Sequence, residues 1–80
     1  PILEDFETLN DGYEYFKDNK ITHMVIDDKN NNKKLKDIFL NEIDYPYLTK
    51  IYDSNDDNFN YKLKIFEIDY QKWKQTIIKN

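Results

Sequence analysis

The chain reads as one α/β domain over residues 1–80. It predicts a small three-stranded mixed sheet in the order 1-3-2, strand 3 central and antiparallel, flanked by three helices in the connectivity α-β-α-β-β-α. Three observations carry this. Two β-rich runs, Tyr45 to Ser54 and Tyr61 to Tyr70, bracket a polar loop from Asp53 to Asn60, the pattern of a hairpin. In the second run Leu63 and Ile65 alternate against Phe66 and Ile68, so both faces carry apolar residues, as in a strand covered on two sides. A strand–helix–strand unit precedes the return strand, and a right-handed crossover would make its two strands parallel, with the return strand inserted between them. The order 1-2-3 is the alternative, and a two- or three-layer sandwich is the expected architecture.

The elements follow in turn. Pro1 to Glu7 is an extended lead-in that tucks Phe6 under the sheet. Thr8 suits an N-cap, with Asp11 three residues on in place of the usual Glu of a capping box. Leu9, Tyr13 and Phe16 lie at i, i+4 and i+7, one face of a helix running to about Asn19. Gly12 costs that helix about 1 kcal/mol relative to Ala, so it depends on packing. Lys17 and Lys20 sit where the helix dipole favours cations.

Strand 1 is Ile21 to Asp27, and its consecutive Met24, Val25 and Ile26 again suggest cover on both faces. Asp28 to Lys34 is a polar loop. The second helix starts near Lys33 and carries Leu35, Ile38, Phe39 and then Glu42 or Ile43 at helical spacing. Pro46 ends it by pushing Tyr45 toward extended geometry. Strand 2 spans Leu48 to Asp53 and strand 3 Tyr61 to Ile68. Asp69 caps a last helix with Tyr70, Trp73 and Ile77 on one face.

Composition narrows the function classes. With 80 residues and no Cys, neither disulfides nor a thiolate metal site can support the fold, and the redox compartment is left open. Seven Tyr, five Phe and one Trp must therefore supply the core. All 12 basic residues are Lys against 16 acids, a net charge of −4. Sign and the lack of guanidinium groups both disfavour nucleic acid as a partner. The mean hydropathy of −0.97 and the absence of an apolar run near ~20 residues exclude a membrane span within these residues. No stretch resembles a signal peptide.

Residues that can carry chemistry are few. His23, the sole histidine, has no convergent ligand set and reads as a strand histidine making one hydrogen bond. Asp27 and Asp28 follow strand 1 and read as caps of the next turn, with a divalent-cation site as the competing use. Asp53, Asn55 and Asp57 alternate like the first half of an EF-hand loop. Asn58 then stands where Gly is needed and Lys64 where the bidentate Glu is needed. Tyr45, Tyr47, Tyr52, Tyr61 and Tyr70 with Trp73 are the material of a sugar-stacking platform, but core use is the default in so small a domain. No nucleophile triad order, Gly-rich phosphate loop or N-glycosylation sequon occurs. The residues thus assign no catalytic, cofactor-binding or metal position, and no cofactor.

Four phrases carry a resemblance: Leu9-Asn-Asp-Gly-Tyr-Glu-Tyr-Phe-Lys17, Ile21-Thr-His-Met-Val-Ile-Asp27, Tyr45-Pro-Tyr-Leu-Thr-Lys-Ile-Tyr-Asp-Ser54 and Lys64-Ile-Phe-Glu-Ile-Asp-Tyr-Gln-Lys-Trp73. Together they resemble the C-terminal soluble domain of archaeal polytopic membrane glycosyltransferases, similar to dolichyl-phosphate-mannose–protein mannosyltransferases. The resemblance implies a non-catalytic accessory domain that follows the last membrane span on the extracytoplasmic side. Its implied partners are the membrane part of the same parent chain and an acceptor protein or glycan. The catalytic acids of such enzymes lie in the membrane part, so none maps onto this chain. A start at Pro1 without Met fits an excised fragment. A stand-alone acidic interaction module, mimicking nucleic-acid charge, is the alternative, and a lectin-like sugar binder is a third reading.

Overall fold

The computed structural model describes residues 6–57 and 60–78. Three strands, β1 (His23–Asp27), β2 (Leu48–Asp53) and β3 (Leu63–Ile68), form one sheet in the order β1-β3-β2. Both ladders are antiparallel, so the two outer strands run parallel to each other on either side of β3. The helices are α1 (Tyr13–Asp18), α2 (Lys33–Leu40) and α3 (Tyr70–Ile78). This is the predicted order of elements and strands.

Local chemistry explains the ends. The Thr8 amide donates to Asp11 Oδ2 at 3.1 Å and the Asp11 amide to Thr8 Oγ1 at 3.3 Å, the reciprocal pair expected of a shortened capping box. The first turn after it, Asn10–Gly12, is 3₁₀ before the α geometry begins at Tyr13. A Cβ on Gly12 would lie 3.1 Å from Phe6 Cδ2. Phe6 therefore packs in the helix layer, on Gly12 and against Tyr15, which corrects the expectation that it tucks under the sheet. The rest of the lead-in, Pro1 to Asp5, lies outside the described residues.

α1 ends with Lys20 at φ 55°. The Lys20 amide donates to the Lys17 carbonyl at 3.1 Å and the Ile21 amide to the Phe16 carbonyl at 3.0 Å. That pairing is a Schellman motif built without glycine. Asn32 caps α2, its Oδ1 accepting from the Lys34 and Leu35 amides at 2.9 and 3.2 Å. The helix stops at Leu40, short of Glu42 and Ile43, which belong to a separate 3₁₀ turn, Glu42–Asp44. Asn41 takes over at the end, its Nδ2 donating to Asp37 Oδ1 at 2.7 Å. Asp69 caps α3 as expected, accepting from the Lys72 amide at 3.0 Å.

One core fills one side of the sheet. Met24, Ile26, Leu48, Phe66 and Ile68 turn toward the helices and are buried, with Ile38 of α2 and Trp73 of α3 fully enclosed. Trp73 is the hub. Tyr47 stacks flat on it at 4.9 Å, and Tyr13 and Phe16 meet it edge-on at 5.1 and 6.0 Å. Among the described residues no element covers the opposite face, which we call the bare face: Val25 is 61% exposed, and Ile65 and Leu63 are half-buried. The described residues thus lack the second layer that cover on both faces of β1 and β3 would need, Val25 of β1 standing open and Leu63 and Ile65 of β3 half-buried, and the described architecture is two-layered. The aromatic rings condense around a single tryptophan, and among the described residues no helix is left for a second layer.

Candidate functional site

The bare face has a defined composition. Alternation along β1 and β3 places His23, Val25 and Asp27 beside Glu67, Ile65 and Leu63. β2 adds Thr49 opposite Glu67 and Tyr52 opposite Ile65. A bulge between Lys50 and Tyr52 takes Ile51 out of register and leaves it 54% exposed. The result is an apolar band, Val25–Ile65–Tyr52, crossing the sheet between two polar margins.

One margin holds His23. Its Nδ1 lies 2.8 Å from Thr22 Oγ1 and its Nε2 3.8 Å from a Glu67 oxygen, all exposed. This matches the modest role read from the sequence. The other margin holds Asp27, which accepts from the Lys29 amide at 3.0 Å and from the Tyr61 hydroxyl at 2.7 Å. Asp27 is thus a turn cap, and Asp28 shares only through its backbone amide, bonded to the Lys62 carbonyl.

The Asp-rich hairpin tip is a 3₁₀ turn, Ser54–Asp57. Several of its oxygens are already taken. Asp53 accepts from the Asn55 amide and from Lys50 Nζ, Asp57 from the Tyr52 hydroxyl, and Asn55 Oδ1 from Lys62 Nζ, each at 2.9 Å. The Lys50 bond and the Asn55 amide hold the Asp53 carboxyl below its ordinary value. Asn58 lies outside the described residues. Among the described residues no three acids or imidazoles gather as metal ligands. Ser54, invisible as a signal in the sequence, turns out to be the pin of the loop. It is 2% exposed, donates to the Tyr61 carbonyl and accepts from the Leu63 amide, both at 2.7 Å.

On the covered side, Lys64 stands where an EF-hand would need Glu and does something else. Its ammonium donates to Glu42 Oε2 and to the Phe39 carbonyl, both at 2.7 Å, and lies 4.4 Å from the Phe39 ring centroid. A cation at the carboxyl end of a helix suits the helix dipole, so Lys64 fastens α2 to the central strand. Lys50 adds a second ion pair to Glu42 at 3.0 Å. The Lys64 hydrogen bond keeps the Glu42 carboxyl below its ordinary range, against some opposing desolvation.

The tyrosines do not form one platform. Tyr47, Tyr70 and Trp73 belong to the core, Tyr52 lies on the bare face, and Tyr61 is 51% exposed beside Asp27. Tyr45 is half-buried and its hydroxyl donates to Asp37 Oδ2, which holds that carboxyl below its usual value. No described helix is long and apolar enough to cross a membrane. No family model matches the chain, and neither a curated protein nor a solved structure is significantly similar to it.

Proposed function

We propose that this chain is a non-catalytic interaction domain that packs the bare face of its sheet on a larger protein. From the resemblance of its four sequence phrases, we propose that protein to be the membrane-embedded part of a lipid-phosphosugar-dependent glycosyltransferase, served from the extracytoplasmic side. The observation that carries the docking reading is Val25, 61% exposed at mid-strand, with half-buried Ile65 beside it and Tyr52 beyond. An apolar band inside a polar margin is the anatomy of a contact surface. The acceptor protein or glycan would then be presented to the enzyme by a domain that does no chemistry of its own.

Two measurements test this. The gene should encode several hydrophobic spans upstream of Pro1; an intact reading frame of only this length would refute the glycosyltransferase assignment and leave the stand-alone acidic module. Because the chain has no Cys, Val25→Cys gives a unique thiol on the band. It should react readily with a maleimide in the isolated domain and be protected in the parent protein. Equal reactivity in both refutes docking through this face.

A further inference from the structure

A second feature lies on the helix side, away from the bare face. A cleft of about 350 Å³ opens between the 3₁₀ turn at Asn10, the Asp44–Tyr47 segment and Thr76 of α3. That is the low end of the range for ligand-holding pockets, room for one ring-sized molecule.

Three of the polar groups facing it have hydrogen-bonding capacity to spare. Tyr47 is 5% exposed, yet its hydroxyl has no partner among the described residues. No sealed side-chain oxygen there is left unsatisfied, so the hydroxyl is the part of Tyr47 that meets the cleft. Burial pushes its pKa up to about 12, which keeps it a neutral donor and acceptor. Trp73 Nε1 donates to Asn10 Oδ1 at 2.7 Å, which fixes the amide and leaves the Asn10 Nδ2 donors without a partner among the described residues. The Asp44 carboxylate is exposed and likewise unpaired there. Tyr45 and Pro46 supply apolar wall between them.

This set discriminates among ligands. Among the described residues the lining holds no Lys and one carboxylate, which repels anions. A cationic amine would suit Asp44 but would meet the Asn10 N–H donors, of like sign. A purely apolar ring would strip water from the Tyr47 hydroxyl and Asp44 without replacing it. A hydroxyl group donates to a carboxylate and accepts from an amide at once. The C–H face of a saturated ring suits Tyr45 and Pro46. We propose that this cleft binds a single uncharged polyhydroxylated ring of the monosaccharide class, with Asp44, Asn10 and Tyr47 taking its hydroxyls.

The test is titration of ¹⁵N-labelled chain with the methyl glycosides of glucose, mannose, galactose and N-acetylglucosamine, with ethylammonium chloride as the cationic probe. At least one glycoside should give saturable shifts at the Trp73 indole and Asn10 side-chain N–H signals. A Kd on the order of millimolar suits so small a ligand. Tyr47→Phe removes one neutral hydrogen bond and should weaken binding about fivefold; Asp44→Asn should weaken it about tenfold. Both changes leave the fold's own hydrogen bonds intact, so melting temperatures should hold. Should Tyr47→Phe disturb the fold, exposed Asp44→Asn carries the test alone. Absence of saturation with every glycoside, shifts indifferent to the variants, or preference for ethylammonium would each overturn the proposal.

Discussion

Ser54→Ala isolates the pin that closes the hairpin. The hydroxyl is 2% exposed and spans the mouth of the loop, from the Tyr61 carbonyl to the Leu63 amide at 2.7 Å each. Its removal strands two backbone groups unequally. Tyr61 is exposed, so its carbonyl finds water; Leu63 is half-buried, so its amide loses a partner it cannot replace. One unsatisfied buried donor plus one lost bond costs about 2 kcal/mol. In a domain of this size that lowers the melting temperature by roughly 10 °C. Urea unfolding followed by circular dichroism should show a lower midpoint at unchanged slope, and hydrogen exchange should accelerate at Leu63. Asn55→Ala is the control in the same loop: it removes an exposed bond from Lys62 and should cost below about 0.5 kcal/mol. If Ser54→Ala costs no more than Asn55→Ala, the loop is not held by this hydroxyl and the reasoning fails.

Three further outcomes follow from the same geometry. Phe66→Asp places an unpaired carboxylate in a fully buried site and should unfold the domain, whereas Ile65→Asp on the bare face should cost only about 1 kcal/mol. Equal losses by chemical denaturation would contradict a two-layer architecture. Lys20→Gly relieves an L-residue held at φ 55° and should stabilise by about 0.5–1 kcal/mol, with Lys20→Ala near neutral; a destabilised Gly variant would refute the left-handed helix end. The Glu42 and Asp53 carboxyls titrate below their ordinary values of 4.5 and 3.8 in the folded state, Glu42 chiefly through Lys64 and Asp53 chiefly through Lys50. Their contribution is therefore complete above the unfolded values and is lost as pH falls through the folded ones. Urea midpoints should be level above about pH 5 and fall below about pH 4, less steeply in Glu42→Gln. A slope unaffected by that change would remove the Lys64–Glu42 pair from the account.

The strand order was legible because the alternation from Leu63 to Ile68 marks a strand that two others can flank. The cover inferred from the same alternation was not. Leu63, Ile65 and Val25 are apolar enough for a core, and only the packing of the three described helices on the other side of the sheet leaves their face open. Caps with a local partner, Thr8 with Asp11 and Asp69 with Lys72, could be read in sequence. Asn32, lost among three consecutive asparagines, could not. The Lys64–Glu42 pair spans 22 residues, and nothing within one element announces it. Lys20 carries a backbone strain that has no compositional signature at all. The cleft escaped for a related reason: Asn10 lies more than thirty residues from the Asp44–Tyr47 segment that completes it, and no spacing links the two.

The Asn10–Trp73 hydrogen bond joins residues 63 positions apart, and it has a mechanical consequence. It sets the first turn beside the start of the last helix, Tyr70–Ile78. Tension applied between those two segments would load that bond and the aromatic stack behind it before any strand is sheared. Such a domain peels open from α3 at low force when pulled by both ends.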